Sequence, residues 1–204
     1  MKFVNKKLEE FNNYIKGKKV AIIGLGVSNI PLIDELYKLG ANITLFNNKD
    51  VENLDKTILD KIYEYKLKFF FGENYLNKLV GFDVIFRSPS CRPDTPQIEA
   101  EVKRGALLTS EIELVLEMCP GTTIGITGSD GKTTTTSLIY QILRTRIELL
   151  FRWKYWNPII HENKRNETRR LCCVRTKQFS INDNESKPTD CGNYKCYTKS
   201  LRYT

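Results

Sequence analysis

The sequence predicts an α/β fold, a parallel sheet with helices on both faces, and three observations predict it. Short β-branched and aromatic runs alternate with segments whose apolar residues recur at helical spacing; two glycine turns each stand between such a run and a helix; and the composition changes abruptly near residue 145. At 204 residues with 41% apolar content, the chain is long enough for one ordinary domain, or for one domain and part of another.

The elements follow in order. Lys18 to Ile23 is a β-branched run closed by Gly24-Leu25-Gly26, and Ile30, Leu32, Ile33, Leu36 and Leu39 then recur at helical spacing until Gly40. This is strand, glycine turn, helix, stop. Asn42 to Phe46 reads as a second strand, closed by the turn formers Asn47 and Asn48, and Leu67 to Phe71 reads as a third. Phe82 to Phe86 is a fourth strand, ended by Ser88-Pro89-Ser90, and a helix from about Pro96 to Arg104 precedes the short run Ala106 to Leu108. In a sheet of this kind ligands sit beyond the carboxyl ends of the strands.

The first glycine turn suggests a dinucleotide site, because glycines let a backbone approach a pyrophosphate at the positive end of a helix. The match is incomplete. Gly24 and Gly26 fill two positions of G-x-G-x-x-G, but Asn29 fills the third, and Asn47-Asn48 stand where an acidic residue would hold a ribose. The plain alternative is a tight turn in an open sheet.

The second glycine turn is the sharper signal. Thr122 to Thr127 reads as a strand, Gly128-Ser129-Asp130-Gly131-Lys132-Thr133 as a loop, and Thr134 to Leu143 as a helix with Leu138, Ile139, Ile142 and Leu143 on one side. Backbone N–H groups of such a loop form an anion cradle for ATP or GTP. Lys132 would reach the terminal phosphates, and the Thr133 hydroxyl suits Mg²⁺. Ile126 stands where the long form of the motif has its first glycine, so the short form G-x-x-G-K-T is what remains.

Charge separates the last segment from the rest. Of the formal net charge of +8, residues 145–204 carry +7, from 13 basic and 6 acidic residues. Trp153, Trp156, His161, Cys172, Cys173, Cys191 and Cys196 also lie there. The basic pairs admit a nucleic-acid-binding arm, but the cysteine spacings are not those of a zinc finger or ribbon. No apolar run reaches eighteen residues and the first ten residues lack the apolar stretch of a signal peptide, so the expectation is a cytoplasmic protein without a membrane partner.

Together, Gly24-Leu25-Gly26-Val27-Ser28-Asn29, the Ser88-Pro89 strand end and Thr127 to Thr134 make the chain resemble the Mur ligases of peptidoglycan synthesis, most closely the branch that adds D-glutamate, over residues of about 8 to 143. The resemblance implies a Rossmann-like UDP-binding domain over residues 1–116, the start of a P-loop ATPase domain over 117–144, and an irregular tail over 145–204. Its implied UDP contacts are Leu25, Gly26, Val27, Ser28, Asn47 and Ser88, with Asn47 standing where many relatives carry Asp and Ser90 where many carry Gly. Its implied ATP contacts are Gly128, Ser129, Asp130, Gly131, Lys132, Thr133 and Thr134, with Lys132 and Thr133 serving phosphoryl transfer and Thr133 the Mg²⁺. The implied partners are UDP-N-acetylmuramoyl-L-alanine and D-glutamate, with no nucleic acid, and the implied state is a monomer. Alternatives are a ligase of the same group for another amino acid, or a nucleotide-binding module with a basic nucleic-acid-binding tail.

The tail has a further reading through the genetic code. Regrouping the second and third bases of each codon with the first base of the next turns Phe151 to Pro158 into FGGNIGTP, Leu171 to Ser180 into YVVLELSSFQ, and Lys195 to Arg202 into NVTPNHLD. These resemble three elements of the family, in order and in one frame. The sequence therefore reads as a shifted frame beginning between about Leu143 and Phe151, giving a non-native, disordered tail and a chain that does not catalyse ligation.

Overall fold

A computed structural model describes residues 6–26, 29–118, 122–127, 130–143, 149–152, 171–175, 188–191 and 194–199. The chain divides into two compact units, one of Lys6–Val115 and one from Leu116 onward.

In the first unit, strands β1 (Lys19–Ile23), β2 (Asn42–Asn47), β3 (Lys68–Phe71), β4 (Val84–Arg87) and β5 (Leu107–Thr109) form one sheet in the order β3-β2-β1-β4-β5. Every pairing is parallel, with Ile22 of the central strand level with Leu45 on one side and Phe86 on the other. Helices α1 (Lys6–Ile15), α2 (Asn29–Lys38), α3 (Lys56–Glu64), α4 (Pro96–Lys103) and α5 (Glu111–Met118) alternate with the strands, the last running across the division between the units. The order is that of a doubly wound sheet, and the direction in which successive strands are added reverses between β1 and β4.

The residues explain the arrangement. Val20, Ala21, Ile22 and Ile23 are all inaccessible, as expected of a parallel strand covered on both faces. Ala21 and Ile23 join Phe46, Leu76, Leu79, Ile85, Ile98 and Ala106 in one core cluster. Polar ties reinforce the layer. The Asp34 carboxylate on α2 accepts from Lys61 Nζ on α3 at 2.5 and 2.6 Å and from the Tyr65 hydroxyl at 3.1 Å, beside the stacked rings of Tyr37 and Tyr65. Burial, and then the neighbouring Asp34 carboxylate, raise the Tyr65 hydroxyl above its ordinary range.

The fourth strand begins at Val84 rather than at the expected Phe82. The reason is the α4 carboxylate Glu101, 1% exposed, which accepts from the N–H groups of Gly81 at 2.6 Å and Phe82 at 3.0 Å and pairs with Arg104. Those two residues are thereby held as a turn.

In the second unit, β6 (Thr122–Thr127) is followed by α6 (Lys132–Leu143). Strands β7 (Leu149–Arg152), β8 (Leu171–Arg175), β9 (Pro188–Cys191) and β10 (Tyr194–Lys199) complete a sheet in the order β7-β8-β6-β10-β9, with β8 parallel to β6 and β10 antiparallel to it. These four strands lie within the segment 145–204 that is expected to be irregular and disordered, most of which lies outside the described residues. The physical reason for pairing there is that β6 has two edges of backbone N–H and C=O groups that require partners, which Leu171 to Arg175 supply on one edge and Tyr194 to Lys199 on the other.

The apolar stripe expected on α6 is partly open. Leu138 and Ile142 are 53% and 68% exposed, whereas Thr136 is buried.

Candidate nucleotide sites

At the carboxyl end of the first sheet, neighbouring strands are laced together one residue past their ends. Gly24 donates its N–H to the Phe46 carbonyl at 2.8 Å, Ser88 to the Ile23 carbonyl at 2.9 Å, and Gly72 to the Asn47 carbonyl at 3.0 Å. The expected contacts Leu25, Gly26, Asn47 and Ser88 lie at the ends of β1, β2 and β4, at the switch point of the sheet, which is where doubly wound folds in general receive ligands. Val27 and Ser28 lie outside the described residues.

Gly24 has to be glycine. Its φ is +83°, and a Cβ built there would lie 2.8 Å from Ser88 Cβ and closer still to Ser88 Oγ. Ser88 is in turn fixed by a hydroxyl-to-hydroxyl bond of 2.9 Å with Ser90 and by its carbonyl, which accepts from Cys91 N–H at 3.0 Å. A serine at position 90 thus supplies a partner that a glycine lacks. Burial pushes the Cys91 thiol above its ordinary range, so it stays protonated near neutrality.

Asn29 is the residue whose role the sequence did not reveal. It is 1% exposed at the start of α2, and its Nδ2 donates to the carbonyls of Gly24 at 2.8 Å and Ile23 at 3.2 Å. Its own N–H donates to the Gly26 carbonyl at 3.0 Å. Where a dinucleotide fingerprint places a third glycine for close helix packing, this chain places a side chain that ties the turn to the helix. The preference for Asn at helix starts gives no signal of this role, because a capping Asn accepts through Oδ1 whereas this one donates through Nδ2.

A cavity of about 310 Å³ opens beside the end of β3, lined by Asp50, Phe70, Phe71, Tyr75 and Lys78 among others. None of the expected contacts lines it.

The second loop has a different local geometry. Gly131 has φ +68°, and its carbonyl accepts from Thr135 N–H at 2.9 Å, so it is the last residue before α6 and Lys132 and Thr133 open the helix. The free N–H groups of a helix's first turn and its positive end suit phosphate. Asp130, Gly131 and Thr134 are exposed, while Gly128 and Ser129 lie outside the described residues. Among the described residues no group of three His, Cys, Asp or Glu side chains could hold a metal ion, and no helix is long and apolar enough to cross a membrane.

A family model described as the Mur ligase middle domain matches residues 126–185. UDP-N-acetylmuramoylalanine–D-glutamate ligase of Clostridium novyi is 48% identical over 143 residues, covering 70% of this chain and 31% of that protein. The enzyme of the same name from Clostridium tetani is 49% identical over 142 residues, with the same coverage of 70% and 31%. The chain thus spans just under a third of the length of the curated relatives it matches. Among solved structures, UDP-N-acetylmuramate:L-alanyl-gamma-D-glutamyl-meso-diaminopimelate ligase from Neisseria meningitides aligns with a TM-score of 0.44 at 15% identity, covering 77% of this chain and 52% of that one. On the sequence matches, this chain belongs to the Mur ligase family.

Proposed function

We propose that the first unit is the UDP-holding part of a ligase that adds D-glutamate to UDP-N-acetylmuramoyl-L-alanine, and that the loop from Gly128 to Thr134 holds ATP with Mg²⁺ at Thr133. The observation that carries the reading is the convergence of Leu25, Gly26, Asn47 and Ser88 at the switch point, on a glycine turn that admits no side chain at Gly24. The names of the relatives at 48% and 49% identity support the choice of amino acid. In the proposed reaction a phosphoryl group passes from ATP to the substrate carboxylate, and the D-glutamate amine displaces phosphate to form the amide. Catalysis there is positioning and neutralisation of phosphate charge. Lys132, on the first helical turn, would neutralise the terminal phosphates. We place the protein in the cytoplasm as a monomer whose partners are these small molecules.

We also propose that residues after about 143 to 151 are translated in a shifted frame, so the chain as written does not complete ligation. The restored elements FGGNIGTP, YVVLELSSFQ and NVTPNHLD support this, and sequencing the coding DNA tests it: a single-base discontinuity is expected, and an uninterrupted frame with unrelated codons would overturn it. Full turnover by the purified chain, read as ADP release, would do so too.

The site reading is tested by melting the full chain with ligands. UDP at a hundred times its dissociation constant adds about 2.7 kcal/mol, which raises Tm by about 5–10 °C for a chain of this size. ATP is expected to raise Tm in the native chain and not in Lys132→Ala, while UDP acts on both. The charge of residues 145–204 favours one other reading, a nucleic-acid-binding arm. Salt-dependent RNA binding lost on deleting 145–204, without any response to UDP, would establish that reading instead.

A further inference from the structure

We infer that Asn29 is a positioning residue of the proposed UDP site, turning the Leu25 N–H outward to meet the diphosphate; the inference rests on that reading of the site. Both protons of the Asn29 amide are committed, one to the Gly24 carbonyl at 2.8 Å and one to the Ile23 carbonyl at 3.2 Å, from a side chain that is 1% exposed. Its backbone N–H, with that of Ile30, holds the Gly26 carbonyl at 3.0 and 3.2 Å. Carbonyls on either side of the turn are therefore drawn in toward the start of α2.

A trans peptide sets its N–H opposite its C=O, and no peptide bond among the described residues is cis. With the Gly24 carbonyl pointing in to Asn29, the Leu25 N–H of the same peptide points out, and it has no hydrogen-bond partner among the described residues. The neighbouring Gly24 N–H is already used on Phe46. An outward N–H in a glycine turn that leads into a helix is a donor for an anion, and of the parts of UDP only the diphosphate is anionic. A glycine at position 29 would close the helix onto the strand and keep the backbone bond to Gly26, but would leave the Gly24 and Ile23 carbonyls without the amide that holds them. The side chain thus substitutes a specific orientation of the turn for close packing.

The inference separates phosphate recognition from base recognition, so the test compares UDP with uridine. In calorimetric titrations of the full chain, Asn29→Ala and Asn29→Gly are expected to weaken UDP about tenfold, the size of one charge-assisted hydrogen bond, and to leave uridine within twofold. Equal losses for both ligands would show a merely structural role and overturn the inference, as would unchanged UDP affinity. A measurement free of substitutions stands beside it: in ¹⁵N-leucine-labelled native chain the Leu25 amide is expected to move strongly downfield with UDP and little with uridine, and an unmoved amide in a chain that binds UDP contradicts the inference. Should the native chain bind neither ligand, the reading of the site itself fails.

Discussion

Replacing Gly24 by alanine tests the packing on which the sheet-end site depends. The new methyl meets two separate penalties. A non-glycine residue at φ +83° costs about 1–2 kcal/mol. The close approach to Ser88 adds an overpacking cost of about 1–3 kcal/mol, because Ser88 is itself tied to Ile23, Ser90 and Cys91 and has little room to retreat. The total, about 2–5 kcal/mol, is read from urea unfolding of the full chain. A second substitution divides it. Ser88→Gly removes both crowded atoms, so in that background Gly24→Ala is expected to cost only the conformational part, about 1–2 kcal/mol, and the double-mutant cycle should give a coupling of about 1–3 kcal/mol. A loss under about 0.5 kcal/mol, the range of an ordinary surface substitution, would refute the reasoning; so would an equal loss in both backgrounds.

Two further predictions concern groups that hold the first unit together. Glu101→Ala strands two backbone N–H groups, those of Gly81 and Phe82, and should lower stability by about 2–6 kcal/mol at about 1–3 for each unsatisfied donor; Glu101→Gln, which keeps an acceptor oxygen, should lose clearly less in the same unfolding assay. Tyr65 gives a pH dependence. Its hydroxyl is raised in the folded chain, so its contribution is fully present below the ordinary tyrosine value of about 10 and is lost as pH rises through the raised value. In spectrophotometric titration Asp34→Asn should bring the Tyr65 midpoint down toward the ordinary value, and an unchanged midpoint would show that the carboxylate has no part in the shift.

How legible the molecule is in its sequence depends on whether a feature is local. The strands of the first sheet were readable because a parallel strand covered on both faces must be apolar at successive positions, as Val20 to Ile23 are. The gathering of Leu25, Gly26, Asn47 and Ser88 followed from the rule that doubly wound sheets receive ligands at their carboxyl ends. Glu101 was not legible: at a surface-like position of a short helix it reads as a solvated charge, and only the placing of α4 over Gly81 and Phe82 buries it. Asn29 looked like a flaw in a fingerprint because one letter does not show which carbonyls an amide will meet. In α6 the apolar stripe was legible from its spacing, but not which of its members would stay open, as Leu138 and Ile142 do. The backbone demands of β6 led to strand partners in a segment whose composition argued for irregularity.

The most direct measurement is a crystal structure of the full chain grown with UDP. The account predicts a nucleotide across the ends of β1, β2 and β4, with the diphosphate at the Leu25 N–H and the nucleoside against Asn47 and Ser88. A nucleotide seated instead in the cavity beside Phe71 and Tyr75, or a sheet end left empty at saturating UDP, would contradict it.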